Sequence, residues 1–202
     1  MMMELKQQRL RGVKIGVILT GSHCTINDVI PEIKHLIDEG ADVLPVFSYT
    51  VDNTDNRFYR VEDLKKTITD LTDHEIINTI VGAEPIGPQK LLDIVVVAPA
   101  TGNTIAKMAH GIADTPALMA IKAQLRNQRP VVIAVSSNDA LGVNASNIGL
   151  LLNMKNIFFV PFRQDNPAEK ANSVVACMSL ITDTVINALQ GRQIQPLLLG
   201  PA

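Results

Sequence analysis

Residues 93–116 read Asp93-Ile-Val-Val-Val-Ala-Pro-Ala-Thr-Gly-Asn-Thr-Ile-Ala-Lys-Met-Ala-His-Gly-Ile-Ala-Asp-Thr-Pro116. An apolar, β-branched run stops at Pro99. Small polar residues follow at Thr101, Gly102, Asn103 and Thr104, and a helical pattern begins there. This order sets hydroxyls, an amide and free backbone N–H groups at the carboxyl end of a buried strand. Open α/β sheets bind ligands in the crevice outside such strand ends, and a helix N-terminus attracts anions. The stretch predicts the floor of a small-molecule site.

Four further apolar runs, at 13–19, 43–47, 131–135 and 157–162, are equally short and mostly β-branched, as expected of strands buried on both faces. Helical periodicity lies between them. Val61, Leu64, Ile68 and Leu71 recur at three- and four-residue steps, with Glu62 and Asp63 suiting the positive end of the helix dipole. A first helix is expected around 27–38, and Pro31 predicts that its regular part begins near Ile30. A last helix carries Val174, Met178, Ile181, Val185 and Leu189 on one stripe, with Gly191 as its C-terminal stop. Polar residues 51–60 read as a loop over the site.

This alternation predicts an α/β fold, a single doubly wound, mostly parallel sheet with helices on both faces, Rossmann-like in arrangement. At 202 residues one domain is expected, spanning 1–202. It opens on a polar segment at 1–11 and closes on an apolar tail at 193–202. Leu197, Leu198 and Leu199 in that tail are expected to cover a neighbouring subunit or the chain's own surface.

Charged residues make up 19% of the chain against 47% apolar, a globular balance. A net charge of −2 leaves no electrostatic footprint for nucleic acid, and 3% aromatics leave little for base stacking. Cys24 and Cys177 stand too far apart in sequence for a disulfide framework. No histidine has acidic or cysteine partners at metal-ligand spacing, so no metal is expected. The first residues lack the apolar core of a signal peptide, and no run approaches the roughly 20 residues of a bilayer span. Neither nucleic acid nor membrane is expected as a partner, and a cytoplasmic location is.

The first strand ends Leu19-Thr-Gly-Ser-His-Cys-Thr25. Gly21 and Ser22 there either cradle a phosphate with backbone N–H groups and a hydroxyl, or form a tight turn with Thr25 as N-cap. The second strand ends at Ser48, where a dinucleotide site would need a carboxylate, and no Gly-x-Gly-x-x-Gly follows the first strand. The fourth ends Ser136-Ser137-Asn138-Asp139. The strand ends thus offer small polar groups and no nucleophile–base pair. Such a set suits a phosphorylated cofactor held by backbone and hydroxyls.

Pro99-Ala-Thr-Gly-Asn-Thr104, continued by Ile-Ala-Lys-Met-Ala-His-Gly-Ile-Ala-Asp114, resembles the Pro-Ala-Ser-Ala-Asn-Thr motif of the FMN-binding cysteine-decarboxylase-like flavoproteins. The resemblance runs from about Val13 to about Gln190. It implies FMN, with Gly21, Ser22 and Ser48 in its phosphate region. Pro99, Ala100, Thr101, Thr104 and Ser137 are implied as further cofactor contacts, and Asn103 and Asn138 as substrate contacts. Narrower agreement within the family lies at 98–104, 123–134, 147–162 and 193–196. It implies an oxidoreductase subunit of sporulation that acts on a small dicarboxylate with a separate nicotinamide-binding subunit. NADP or NAD then enters through that partner. The assembly of relatives implies a homo-oligomer, a trimer or a dodecamer built from trimers.

Departures from the family pattern matter as much. The decarboxylases carry a catalytic histidine upstream of the motif, and the matching position here is Pro85, which cannot transfer a proton. Of their second motif, Pro-x-Met-Asn-x-x-Met, only Asn138 survives in residues 135–141. Cysteine decarboxylation is therefore not expected, and no catalytic residue is assigned. Three roles stay open: an FMN-bearing redox subunit, an interaction subunit that keeps the flavin fold, or a stand-alone decarboxylase- or prenyltransferase-like enzyme.

The remaining polar residues have plain readings beside functional ones. His23 either meets a ligand or bonds within its turn. His35 and His74 fall in helical patterns and are expected in solvent, while His110 before Gly111 suits a helix end. Arg57 and Arg60 suit a dicarboxylate, since guanidinium grips carboxylates with two parallel bonds; otherwise they are solvated loop charges. Lys107 is expected on a solvated face, and Cys24 as a small buried filler.

Overall fold

Every residue of β3 (Ile94–Ala100) is buried, which is what an unbroken β-branched run dictates for a strand covered on both faces. In the computed structural model, which describes residues 8–200, β3 lies between β1 (Lys14–Leu19) and β4 (Val131–Ser137). β2 (Asp42–Phe47) extends the sheet beyond β1, and these pairings are all parallel. β5 (Ile157–Phe159) runs parallel to β4, while β6 (Phe162–Gln164) and β7 (Val174–Ala176) form an antiparallel pair beyond it. The strand order is β2-β1-β3-β4-β7-β6, a mostly parallel sheet as expected.

Eight helices connect the described strands: α1 (His23–Asp38), α2 (Tyr49–Asn53), α3 (Val61–Thr72), α4 (Ile80–Ala83), α5 (Gly102–Ala109), α6 (Pro116–Arg126), α7 (Asn144–Leu152) and α8 (Ile181–Leu189). α1 and α8 pack on each other and on the sheet; α6, flanked by α5, covers the other face. Each fully buried aliphatic side chain between these layers is worth about 1.5–3 kcal/mol. The parallel strands point their carboxyl ends to one rim, and every predicted polar turn lies there.

Several local expectations need correction. α1 starts at His23, not near Ile30, and runs straight through Pro31. Proline removes the bond to the Asn27 carbonyl, but both residues face solvent, where water replaces the lost donor. The buried stripe Ile26, Val29, Ile33 and Leu36 holds the helix on the sheet. The N-cap is Ser22, not Thr25, which lies inside the first turn. Residues 51–53 belong to α2, so the predicted loop is shorter by that much.

Val174 is not on the last helix. It opens β7, which pairs with Ser136 and Ser137 of β4 just beyond the reach of β5. That short antiparallel pair satisfies backbone groups that β4 would otherwise leave open at the sheet edge. α8 begins only at Ile181 and ends before Gly191, whose positive φ of 70° makes the turn glycine readily adopts. The tail folds back on the chain's own surface. The Gln193 side chain bonds the backbone of Phe159, and Leu197 and Leu199 exchange backbone bonds with Phe162. Residues 1–7 of the polar segment and the last two residues of the tail lie outside the described residues.

Candidate functional site

The turns after β1, β3 and β4 enclose a cleft of about 850 Å³. Of the predicted residues, Gly21, Ser22, Thr101, Asn103, Ser137, Asn138 and Arg57 line it. A second recess of about 310 Å³ shares Gly21, Thr101 and Asn103 and adds Ser48, Thr50, Thr104 and Thr115. The two spaces therefore meet at the tip of β3. Pro99 and Ala100 line neither; they are buried in the strand beneath. Arg60 lies apart as the residue before α3, paired with Asp55 at 3.5 Å.

Hydroxyls tie the strand ends together. Thr20 Oγ1 donates to the Pro99 carbonyl at 2.6 Å and accepts from the Thr101 N–H at 3.1 Å, clamping β1 to β3. Ser22, Thr25 and Ser136 form a ring of hydroxyl contacts at 2.8–3.2 Å, which joins α1 to β4. Thr101 caps α5 by accepting from the Thr104 N–H at 3.3 Å, and Ser48 caps α2 through the Val51 N–H at 3.5 Å. Ser22, by contrast, makes no side-chain cap, so the first N–H groups of α1 open toward the cleft.

A polar cluster that the motif alone does not reveal fills the cleft floor. The Asp139 carboxylate accepts from Ser137 Oγ and, at 2.9 Å, from Asn144 Nδ2; Asn144 Oδ1 accepts from buried Asn147 at 2.9 Å. Gly102 faces this cluster. A Cβ there would stand 2.6 Å from both Asp139 Oδ1 and Asn144 Nδ2, and 2.8 Å from Ser137 Oγ. The alanine of the related motif is thus excluded by side chains that this chain supplies instead. The glycine at 102 is the sequence signal that could have pointed to the cluster.

The loop after α2 adds a second group that sequence reading leaves open. His23, in the first turn of α1, lines the cleft, and its Nδ1 contacts the Tyr59 hydroxyl and Asn56 Nδ2. Burial lowers the His23 pKa below its ordinary value and raises that of Tyr59. Arg57 on the same loop stacks on Phe58 at 4.7 Å and makes no ion pair among the described residues. Across the cleft, Lys170 is held by Asp165 at 2.9 Å. Cys24 is exposed at the cleft rather than a buried filler, because the first turn of α1 projects beyond the sheet.

Other histidines lie elsewhere. His74 is not in helix α3 but beyond it, bonded to Asp42 at 2.6 Å. His35 meets buried Glu32 at 3.0 Å, and His110 is the C-cap of α5. Lys107 pairs with Asp114 at 2.7 Å. Pro85 sits in a single 3₁₀ turn at Glu84–Ile86 and lines neither space. Among the described residues no group of histidine, cysteine and acidic side chains has the arrangement of a metal site, and no helix is long and apolar enough to cross a membrane.

Comparison with known proteins adds three findings. A family model described as Flavoprotein matches residues 3–190. The B subunit of dipicolinate synthase from Bacillus subtilis (strain 168) is 50% identical over 190 residues, covering 94% of this chain and 95% of that protein. The crystal structure of the corresponding dipicolinate synthase B subunit from Bacillus halodurans superposes with a TM-score of 0.88 at 45% identity, covering 95% of this chain and 98% of that one. The FMN-dependent cysteine decarboxylase SpaF gives a TM-score of 0.60 at 19% identity, over 91% of this chain and 97% of that one, a likeness of fold alone.

Proposed function

The chain belongs to the flavoprotein family, and on that premise we propose that it acts as the B-type subunit of a dipicolinate synthase. In this role it would bind FMN and, with a nicotinamide-binding dipicolinate synthase A subunit, oxidise dihydrodipicolinate to dipicolinate during sporulation. The observation that carries the reading is 50% identity to such a subunit along nearly the whole chain. Location in the cytoplasm and assembly as a trimer or a dodecamer of trimers belong to the same proposal.

The residues present suit FMN by the chemistry of their donors. Two joined spaces of about 850 and 310 Å³ offer hydroxyls and helix-start N–H groups, the usual partners of a phosphate and a polar ring system. Gly21, Ser22, Ser48, Thr101 and Thr104 would hold it, with Ser137 beside them and with Pro99 and Ala100 as the buried strand beneath. Bound there, FMN would supply reversible acceptance of a hydride. The protein's own part is to orient the dicarboxylate and exclude water. Arg57, Asn103 and Asn138, all lining the larger cleft, suit carboxylate oxygens. Arg60, engaged with Asp55, is assigned the lesser share of substrate contact.

One observation favours a second reading. By the family resemblance Pro85 takes the position of the decarboxylases' proton-transferring histidine, and its ring carries no titratable group. An interaction subunit that keeps the fold while the partner subunit performs the oxidation, with NAD or NADP, fits that loss. Reconstitution with the A subunit separates the two. If this chain forms the site, Asn103→Ala and Arg57→Ala raise the KM for dihydrodipicolinate, and FMN depletion lowers the rate. Unchanged KM and rate in all three tests favour the interaction subunit.

A further inference from the structure

We infer that His23 is a substrate-binding residue that donates a hydrogen bond from Nε2–H to a carboxylate oxygen, and is not the proton acceptor of the oxidation. The inference rests on the dicarboxylate reading above and deepens it.

The hydrogen-bond network of the loop points to Nε2 as the site of the imidazole proton. Asn56 Oδ1 accepts from the Phe58 N–H at 2.9 Å and the Tyr59 N–H at 3.3 Å, which fixes the amide's orientation. Its Nδ2 therefore faces the other way. One of the two Nδ2 protons goes to the Thr54 carbonyl at 3.2 Å, and the other is shared between His23 Nδ1, at 3.2 Å, and the Tyr59 hydroxyl oxygen. An amide nitrogen only donates, so a proton on Nδ1 would oppose the amide N–H, and a bare Nδ1 with the ring proton on Nε2 is the arrangement that fits. With Nδ1 bare, the Tyr59 hydroxyl in contact with it is its donor. Protonating Nδ1 would set two N–H groups against each other, in the same direction as the burial that already disfavours the charged ring.

Three carboxylates, Asp28, Asp139 and Asp165, and two cations, Arg57 and Lys170, line the cleft with the ring. Tyr59 faces it from the loop, Arg57 lines the same cleft, Cys24 and Asp28 lie on its own helix, and Asp139, Asp165 and Lys170 line the cleft beyond. Lys170 is matched by Asp165, which leaves Arg57 as the lining cation without an ion pair among the described residues. Nε2 has no partner among the described residues, on a side chain that lines the cleft. A general base must present a bare nitrogen to its substrate. Here the bare nitrogen is turned to the loop, and the N–H is left for an anion. Together with Arg57, it makes a donor pair for one carboxylate.

Two measurements on the full chain test this. Long-range proton–nitrogen NMR of histidine-labelled protein, with the His23 signals assigned by their loss in His23→Gln, should show the Nε2–H tautomer at neutral pH. A proton on Nδ1, or an imidazolium, would overturn the inference. Calorimetric titration with dipicolinate should show binding weakened about tenfold in His23→Ala and His23→Asn, and largely restored in His23→Gln, whose amide nitrogen reaches the Nε2 position. Equal affinity of wild type and His23→Ala would also overturn it. A wild-type protein with the Nε2–H tautomer that binds no dipicolinate would sink the substrate reading instead, so the two failures are distinguishable.

Discussion

At position 102 the absence of a single carbon decides what occupies the cleft floor. The Asp139 carboxylate and the Asn144 amide stand where an alanine Cβ would lie, and both are anchored, Asp139 through Ser137 and Asn144 through Asn147. Gly102→Ala must displace that cluster, at a cost of about 1–3 kcal/mol for overpacking a well-filled site. Denaturant unfolding should show a lower midpoint for this variant; an unchanged midpoint would mean that the cluster yields freely. His23 offers a second test at this scale. Its folded pKa lies below the ordinary histidine value, so the stability it carries is present above about pH 6.5 and is lost as pH falls below that value. The stability of the wild type relative to His23→Gln should therefore fall on acidification through that range, and parallel pH curves would contradict the assignment.

At the scale of elements, the site depends on how α5 starts. Thr101 follows β3 directly and caps α5, so the strand end and the helix-start N–H groups are fixed together. Thr101→Ala should cost about 1 kcal/mol through the lost cap, while Thr101→Ser should retain both the cap and ligand binding. Thermal unfolding of the pair checks this, and equal loss in both would point to the missing methyl group rather than the cap. Elements also mark where sequence reading succeeds and where it stops. The long β-branched runs of β1, β3 and β4 are legible because burial on both faces leaves no polar alternation. β7 is not: three residues are too few to show a period, and Val174 and Met178 happen to stand four apart, as on a helix.

Across the whole molecule the sheet order brings four separated polar turns to one rim, and that convergence is legible in the sequence. Gly21, Ser22, Thr101, Asn103, Ser137 and Asn138 are all identified by their places after strands, and they line one cleft. What escapes sequence reading depends on contacts between distant segments. Asn56 and Tyr59 meet His23 across 33 and 36 residues, and a local pattern carries no trace of such pairing. Cys24 is misread for a related reason, since its exposure depends on how far α1 projects beyond the sheet. The central claim, that these turns form a flavin site in a dipicolinate synthase, is tested most directly by titrating the purified chain with FMN and following flavin absorbance and fluorescence. The account predicts saturable uptake of one FMN per chain, weakened by Gly102→Ala; a chain that takes up no FMN would contradict it.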